Sequence, residues 1–195
     1  MAAPKPLRVY LAGPDVFLPD AKAFAEKKKA LCAKYGFEGV FPLDAEIKEA
    51  ASLKPHELAA KIASNNEELM RSCDLLVANC TPFRSVSMDA GTAYEVGFMR
   101  ALGRPVFGYS NIATPFGERS RKYRASGVVV PDDGDFPQTE IENFGLSENL
   151  MIDCAMTFSG GRLITATVAA GAELTDLAAF EACLELAAEA IQNGA

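Results

Sequence analysis

Two carboxylates, Asp89 and Glu95, stand six residues apart in the run DAGTAYEVG at 89–97, with Gly91 between them. On a helix that opens at Asp89, Glu95 falls on the second turn. A helical side chain leans toward the N-terminus and covers the residue four positions earlier, here Gly91, so Glu95 projects over bare backbone that a ligand can approach. A helix interior gains nothing from glycine, and the pairing of Gly91 with Glu95 therefore points to clearance for a ligand. Asp89 suits an N-cap whose carboxylate accepts from the first free N–H groups. Carboxylates placed this way can exchange protons or capture an electron-poor carbon.

The remaining composition narrows that chemistry. The chain has one histidine, His56, directly after Pro55, so a serine or cysteine triad would depend on that single ring and a His-rich metal site is ruled out. Five cysteines, at 32, 73, 80, 154 and 183, are scattered and form no CxxC, which suggests reduced thiols rather than disulfides or a zinc site. No GxGxxG follows the first apolar run and no GxxxxGK[ST] occurs, so neither fingerprint of nucleotide phosphate binding is present. The third strand ends in Asn79 and Cys80, where a signalling receiver would need a phosphorylatable Asp. Proton and nucleophile chemistry is left to carboxylates and tyrosine, with no metal and no cofactor expected. A net charge of −7 and a pI near 4.8 argue against nucleic acid or an anionic membrane as partner. The apolar run at 9–12 is far shorter than a secretory or membrane-spanning segment, and the expected location is the cytoplasm.

Several elements must position these groups. LRVYLA at 7–12 reads as a strand that ends at Gly13 and Pro14. A helix capped by Asp20 follows, stopped by Tyr35 and Gly36, and a second strand spans 38–41. Pro55 opens a long helix to about 72, whose apolar stripe is interrupted by Asn66, an amide directed at the core or at the site. The third strand, 75–79, is a continuous apolar run of the kind found in covered parallel sheets. The Asp89 helix runs from 90 to 102, and a fourth strand lies at 105–109. Residues 110–137 read as a polar loop, a lid or a subunit contact, with a basic run at 119–124 and an acidic turn at 132–135. Another helix starts within 147–152, and an amphipathic one closes the chain, with Leu177, Phe180, Leu184, Ala187 and Ile191 on one face. Alternating strands and helices with short connections predict an α/β fold: a doubly wound, flavodoxin-like or Rossmann-like parallel sheet flanked by helices. The 195 residues suit a single domain, with 155–195 as a C-terminal extension.

Five segments, YLAGP at 10–14, PLD at 42–44, CDLLVAN at 73–79, DAGTAYEVG at 89–97 and ENLMI at 148–152, occur in this order and together resemble the nucleoside 2-deoxyribosyltransferase family over residues 7–152. The resemblance implies that Glu95 is the nucleophile that attacks the anomeric carbon of a 2′-deoxynucleoside. It implies that Tyr10 holds and tunes that carboxylate, that Asp74 is the acid near the departing base and that Asp89 grips the sugar hydroxyls. Asn149 resembles the residue that a neighbouring subunit lends to the 5′ end of the sugar, which implies a homo-oligomer whose sites are completed by a neighbour. Phe17 and Glu46 fall where the family contacts the base. Gly13, Asp44, Gly91 and Met151 lie in the matching segments and are further expected substrate contacts.

The implied reaction moves 2-deoxyribose between purine or pyrimidine bases through a covalent deoxyribosyl-Glu95 intermediate, with retention, as in retaining glycosidases. Its partners are a 2′-deoxynucleoside and a free nucleobase, and its setting is nucleoside salvage. Two rival readings stay open. One is an N-glycosidase of 2′-deoxynucleoside 5′-monophosphates, in which water replaces the second base. The loop at 13–20 offers such a phosphate two acids and no base, with Arg84 the one nearby cation. The other is a non-catalytic nucleoside-binding module.

Overall fold

The computed structural model describes residues 5–47, 50–127 and 139–192. Its centre is a five-stranded, all-parallel sheet with strand order 2-1-3-4-5, made of β1 (Leu7–Ala12), β2 (Phe37–Val40), β3 (Leu75–Asn79), β4 (Val106–Ser110) and β5 (Leu163–Thr165). Six helices cover it: α1 (Ala21–Lys34), α2 (Pro55–Arg71), α3 (Ala90–Ala101), α4 (Phe116–Ala125), α5 (Leu150–Phe158) and α6 (Ala178–Gln192). Strand order reverses between β1 and β3, and the carboxyl ends of these two strands therefore border the crevice where ligands of such sheets bind.

Period-two alternation sorts the strand residues between two layers. Val9, Leu11, Leu75, Val77, Phe107 and Tyr109 pack with α1 and α6, whereas Tyr10, Ala12, Leu76, Ala78 and Val106 pack with Met70, Val96, Met99 and Met156 on the other face. All five residues of β3 are buried, as their unbroken apolar run requires of a strand covered on both sides. The residues after Ala155 join this body directly. β5 pairs in parallel with β4, and Phe180, Cys183, Leu184 and Ala187 of α6 enter the core.

The structure departs from the sequence reading in several places, among them β4, which begins and ends one residue later than expected. The polar stretch after 110 contains α4, and Arg119 of the basic run is buried, held by carbonyl and carboxylate partners that no local pattern reveals. The acidic turn at 132–135 lies outside the described residues. β5 is only three residues long at the sheet edge, too short to show periodicity. Asp20 occupies the N-cap of α1 without a side-chain capping hydrogen bond. β2 begins and ends one residue earlier than expected.

Candidate active site

Glu95 is brought to Tyr10 by the packing of α3 on β1. The Tyr10 hydroxyl donates to Glu95 Oε1 at 2.7 Å, and the tyrosine is fully buried. Burial is the main force acting on Glu95 and lifts its pKa to about 7; the negative charge of Asp89 adds to the rise, and the Tyr10 hydrogen bond opposes it. Tyr10 is driven far above the usual phenol range, first by burial and then by the Glu95 charge. The phenol therefore stays protonated and serves as a fixed donor. A carboxylate titrating near neutrality, in a cleft and held by one donor, is the arrangement expected of a reactive group.

Asp89 caps α3, its Oδ2 accepting from the Thr92 N–H at 3.0 Å and from the Thr92 hydroxyl at 3.2 Å. Gly91 lies between the two acids, and a Cβ there would stand 3.0 Å from Asp89 Oδ2. Its bareness therefore serves the Asp89 carboxylate as well as the cleft. A cavity of about 520 Å³ opens between α2 and α3, bordered by Gly91, Tyr94 and Glu95 on one side and by Ile62, Asn66 and Met70 on the other. Met70 is the one buried residue of α2, so the apolar stripe of this helix faces the cavity rather than the core. At the mouth the Tyr94 hydroxyl donates to Glu67 Oε1 at 2.6 Å, tying the two helices together.

Not every expected residue is here. Asp74 directly precedes β3, its Oδ2 accepts from the Arg8 N–H at 2.8 Å, and it does not border the Glu95 cavity. That hydrogen bond fastens β1 to the start of β3. Asn66 and Glu67 are the polar residues that α2 brings to the cavity; Glu67 is engaged by Tyr94, and the interrupted apolar stripe was the signal of Asn66 in the sequence. Asp44 and Glu46 border a separate recess beside α1, where Asp44 accepts from the Phe41 N–H at 2.8 Å and pairs with Lys29 at 2.7 Å. Gly13 lies at the crevice end of β1, where a Cβ would stand 2.8 Å from Asn79 Cβ, so only glycine lets the loop pass so close to β3.

Phe17 is exposed and stacks on Phe83 with ring centroids 5.5 Å apart, and the Arg84 guanidinium covers both rings. Asn149 caps α5, its Oδ1 accepting from the Met151 N–H at 3.0 Å and its Nδ2 donating to Glu142 at 2.8 Å. Met151 is exposed and borders a groove between α3 and α5. Within one chain neither Asn149 nor Met151 borders the Glu95 cavity. Among the described residues no group of three or more His, Cys, Asp or Glu could hold a metal ion, and no helix is long and apolar enough to cross a membrane.

The carboxylate and phenol pair thus lies beside the switch point of a parallel sheet, where ligands of such folds bind. Residues 9–151 match the sequence profile of the nucleoside 2-deoxyribosyltransferases, and the chain belongs to that family. It is 32% identical over 169 residues to the uncharacterized protein C191.05c of Schizosaccharomyces pombe, a match that covers 78% of each chain. Among solved structures it resembles a 2-deoxyribosyltransferase from Leishmania mexicana, with a TM-score of 0.56 and 32% identity over 75% of this chain and 85% of that one. A conserved protein from Enterococcus faecalis shares the fold, with a TM-score of 0.50 at 17% identity over 96% of this chain and 98% of that one.

Proposed function

We propose that the chain is a nucleoside 2-deoxyribosyltransferase that exchanges the base of a 2′-deoxynucleoside by way of a deoxyribosyl ester on Glu95. The observation that carries this reading is the 2.7 Å hydrogen bond from the Tyr10 hydroxyl to Glu95 Oε1 at the edge of a cavity large enough for a nucleoside. Ionised Glu95 attacks C1′, the electrons of the C1′–N bond pass to the departing base, and the base takes up a proton. A second base then attacks C1′ from the face the first one left and gives up its N–H proton to solvent, balancing the proton that the first base took from solvent, and Glu95 departs as carboxylate. Two inversions give net retention.

Each residue has a task in this scheme. Tyr10 holds one oxygen of Glu95, so the other is the one aimed at the sugar. Asp89 Oδ2 is occupied by Thr92, which leaves Oδ1 for a sugar hydroxyl. With Asp74 bonded to Arg8 and Glu67 to Tyr94, Asn66 is the α2 side chain offered to the base, and its amide can donate to a ring nitrogen or carbonyl as charge develops on it. Phe17, in its stack with Phe83, offers an aromatic face to the base. Asn149 and Met151 serve the site of a neighbouring subunit, which makes the active form a homo-oligomer; the setting is nucleoside salvage in the cytoplasm, and the whole chain acts as one domain.

Incubation with 2′-deoxyinosine and adenine should yield 2′-deoxyadenosine by chromatography, and Glu95→Ala should abolish it. Release of free sugar from 2′-deoxynucleoside 5′-monophosphates alone would instead favour the N-glycosidase reading. Nucleoside binding without any product would favour a binding module.

A further inference from the structure

We propose that the buried Arg119–Glu148 ion pair is a positioning device for the sugar, fixing from one point both the loop that ends at Asp89 and the segment that leads into Asn149. The proposal rests on the transferase reading, in which Asp89 holds the sugar in its own chain's site and Asn149 reaches the 5′ end of the sugar in a neighbouring subunit's site. Both partners are almost withdrawn from solvent, with Glu148 1% and Arg119 9% exposed, and Arg119 Nη2 donates to Glu148 Oε2 at 3.0 Å.

Each partner binds both segments. On the Asp89 side, Glu148 accepts from the Ser87 hydroxyl and from the Met88 N–H at 3.3 Å, while Arg119 Nε donates to the Val86 carbonyl at 2.8 Å. On the Asn149 side, Glu148 accepts from the Asn149 N–H at 3.1 Å, and Arg119 Nη1 donates to the Ser147 carbonyl at 3.0 Å. A further bond to the Thr114 carbonyl anchors the guanidinium to the start of α4. Residues 82–88 form neither helix nor strand, so the ion pair provides anchors that regular structure does not supply there. The two segments are joined nowhere else by side chains of opposite charge among the described residues. Neither Arg119 nor Glu148 borders the Glu95 cavity, and both act through the residues they hold.

A pair that merely stabilised the fold would affect every substrate alike. A pair that places Asp89 and Asn149 must instead set how strongly the enzyme prefers a sugar with both hydroxyls. The test compares base transfer to hypoxanthine from 2′-deoxyadenosine, 2′,3′-dideoxyadenosine and 2′,5′-dideoxyadenosine. Glu148→Gln keeps the side-chain volume and removes the charge opposite Arg119. In this variant the kcat/KM preference for 2′-deoxyadenosine over each analogue should shrink by about fivefold or more, chiefly through KM for the full substrate. Preferences that stay at the wild-type level for both analogues overturn the proposal, whatever the overall loss of rate. Shrinkage for the 3′ analogue alone supports the link to Asp89 and overturns the link to Asn149; shrinkage for the 5′ analogue alone does the reverse.

Ser87→Ala is measured in parallel, since it deletes one donor to Glu148 and leaves both charges in place. If Glu148→Gln does not fold, a shrinkage of about twofold or more in Ser87→Ala sustains the Asp89 link, and an unchanged preference overturns it. Wild-type protein that exchanges no base at all defeats the transferase reading first, and the positioning role with it. Wild-type protein that exchanges bases but ignores both hydroxyls defeats the positioning role alone.

Discussion

Tyr10 and Glu95 are separated by 85 residues in the chain and by 2.7 Å in the fold, phenol donating to carboxylate. The bond joins a sheet strand to a helix on its methionine-lined face, where water is largely excluded from the phenol. Burial and the hydrogen bond act on Glu95 in opposite directions, and burial prevails, leaving the acid at about 7. The carboxylate is thus only weakly solvated, which favours its attack on carbon, while Tyr10 keeps it from staying protonated at neutral pH.

The reaction should follow that balance. If ionised Glu95 is the nucleophile, kcat/KM should rise about tenfold per pH unit below pH 7 and level off above it. Tyr10→Phe removes the group that favours the ionised form. Its acid limb should move to higher pH, with a loss of about 10- to 100-fold at pH 7, the range expected for a hydrogen bond to a charged group. A pH–rate profile with an unmoved limb in Tyr10→Phe would sink this assignment.

Stability should show the reverse trend. The pKa of Glu95 is higher in the folded protein, at about 7, than the ordinary carboxylate value of 4.5. Between those values the folded chain binds a proton that the unfolded chain has released, so the contribution of Glu95 is full below 4.5 and is lost as pH rises through 7. Glu95→Gln, which carries no charge, should match the wild type near pH 4 and exceed it at pH 8 by on the order of 2 kcal/mol. The figure is set below the full shift because the carboxylate still meets solvent through the cleft. Urea denaturation at the two pH values measures the difference.

Much of this was legible in the sequence because it is local. The unbroken apolar run at 75–79 identified a covered parallel strand, and the Asp89–Gly91–Glu95 spacing placed two acids and a gap on the first turns of one helix. The motif resemblance led to Tyr10, but its distance from Glu95 is a product of tertiary packing. What escaped is likewise tertiary. Arg119 looked like one of several solvated cations until its partners at 86, 114, 147 and 148 were in place. Asp74 matched a family segment by identity, and its bond to the backbone N–H of Arg8, on a neighbouring strand, is likewise invisible to local pattern.

Asp74 and Asn66 can be told apart by substitution. Asp74→Asn should lower stability by about 1 kcal/mol through weakening of the Arg8 bond, and leave kcat within about threefold of the wild type. Asn66→Ala should leave stability nearly unchanged, since its amide faces the cavity, and lower kcat/KM by about 10-fold or more. Thermal melts and steady-state exchange rates on both variants suffice. The opposite pattern, with Asp74→Asn inactive and Asn66→Ala active, would return the acid's role to Asp74.

The loop that carries Phe17 depends on a second buried ion pair. Lys28, at 0% exposure, donates to Asp15, whose other oxygen accepts from Asn79 Nδ2 at 2.8 Å, and the Lys28 ammonium lies 4.6 Å from the Phe180 ring centroid. Asp15 is two residues before Phe17, so α1, the end of β3 and α6 all bear on the position of that ring. Lys28→Met leaves the Asp15 charge buried without its partner and should cost about 3–5 kcal/mol. Pairing it with Asp15→Asn removes the orphaned charge, and the double variant should recover about 1–3 kcal/mol of that loss in urea denaturation. Phe17 is still held less firmly in the double variant, because the Lys28 anchor is gone. Its KM for the nucleoside should therefore exceed the wild-type value by about threefold or more even where stability has returned. Recovery of stability and KM together would show that the pair serves the fold alone.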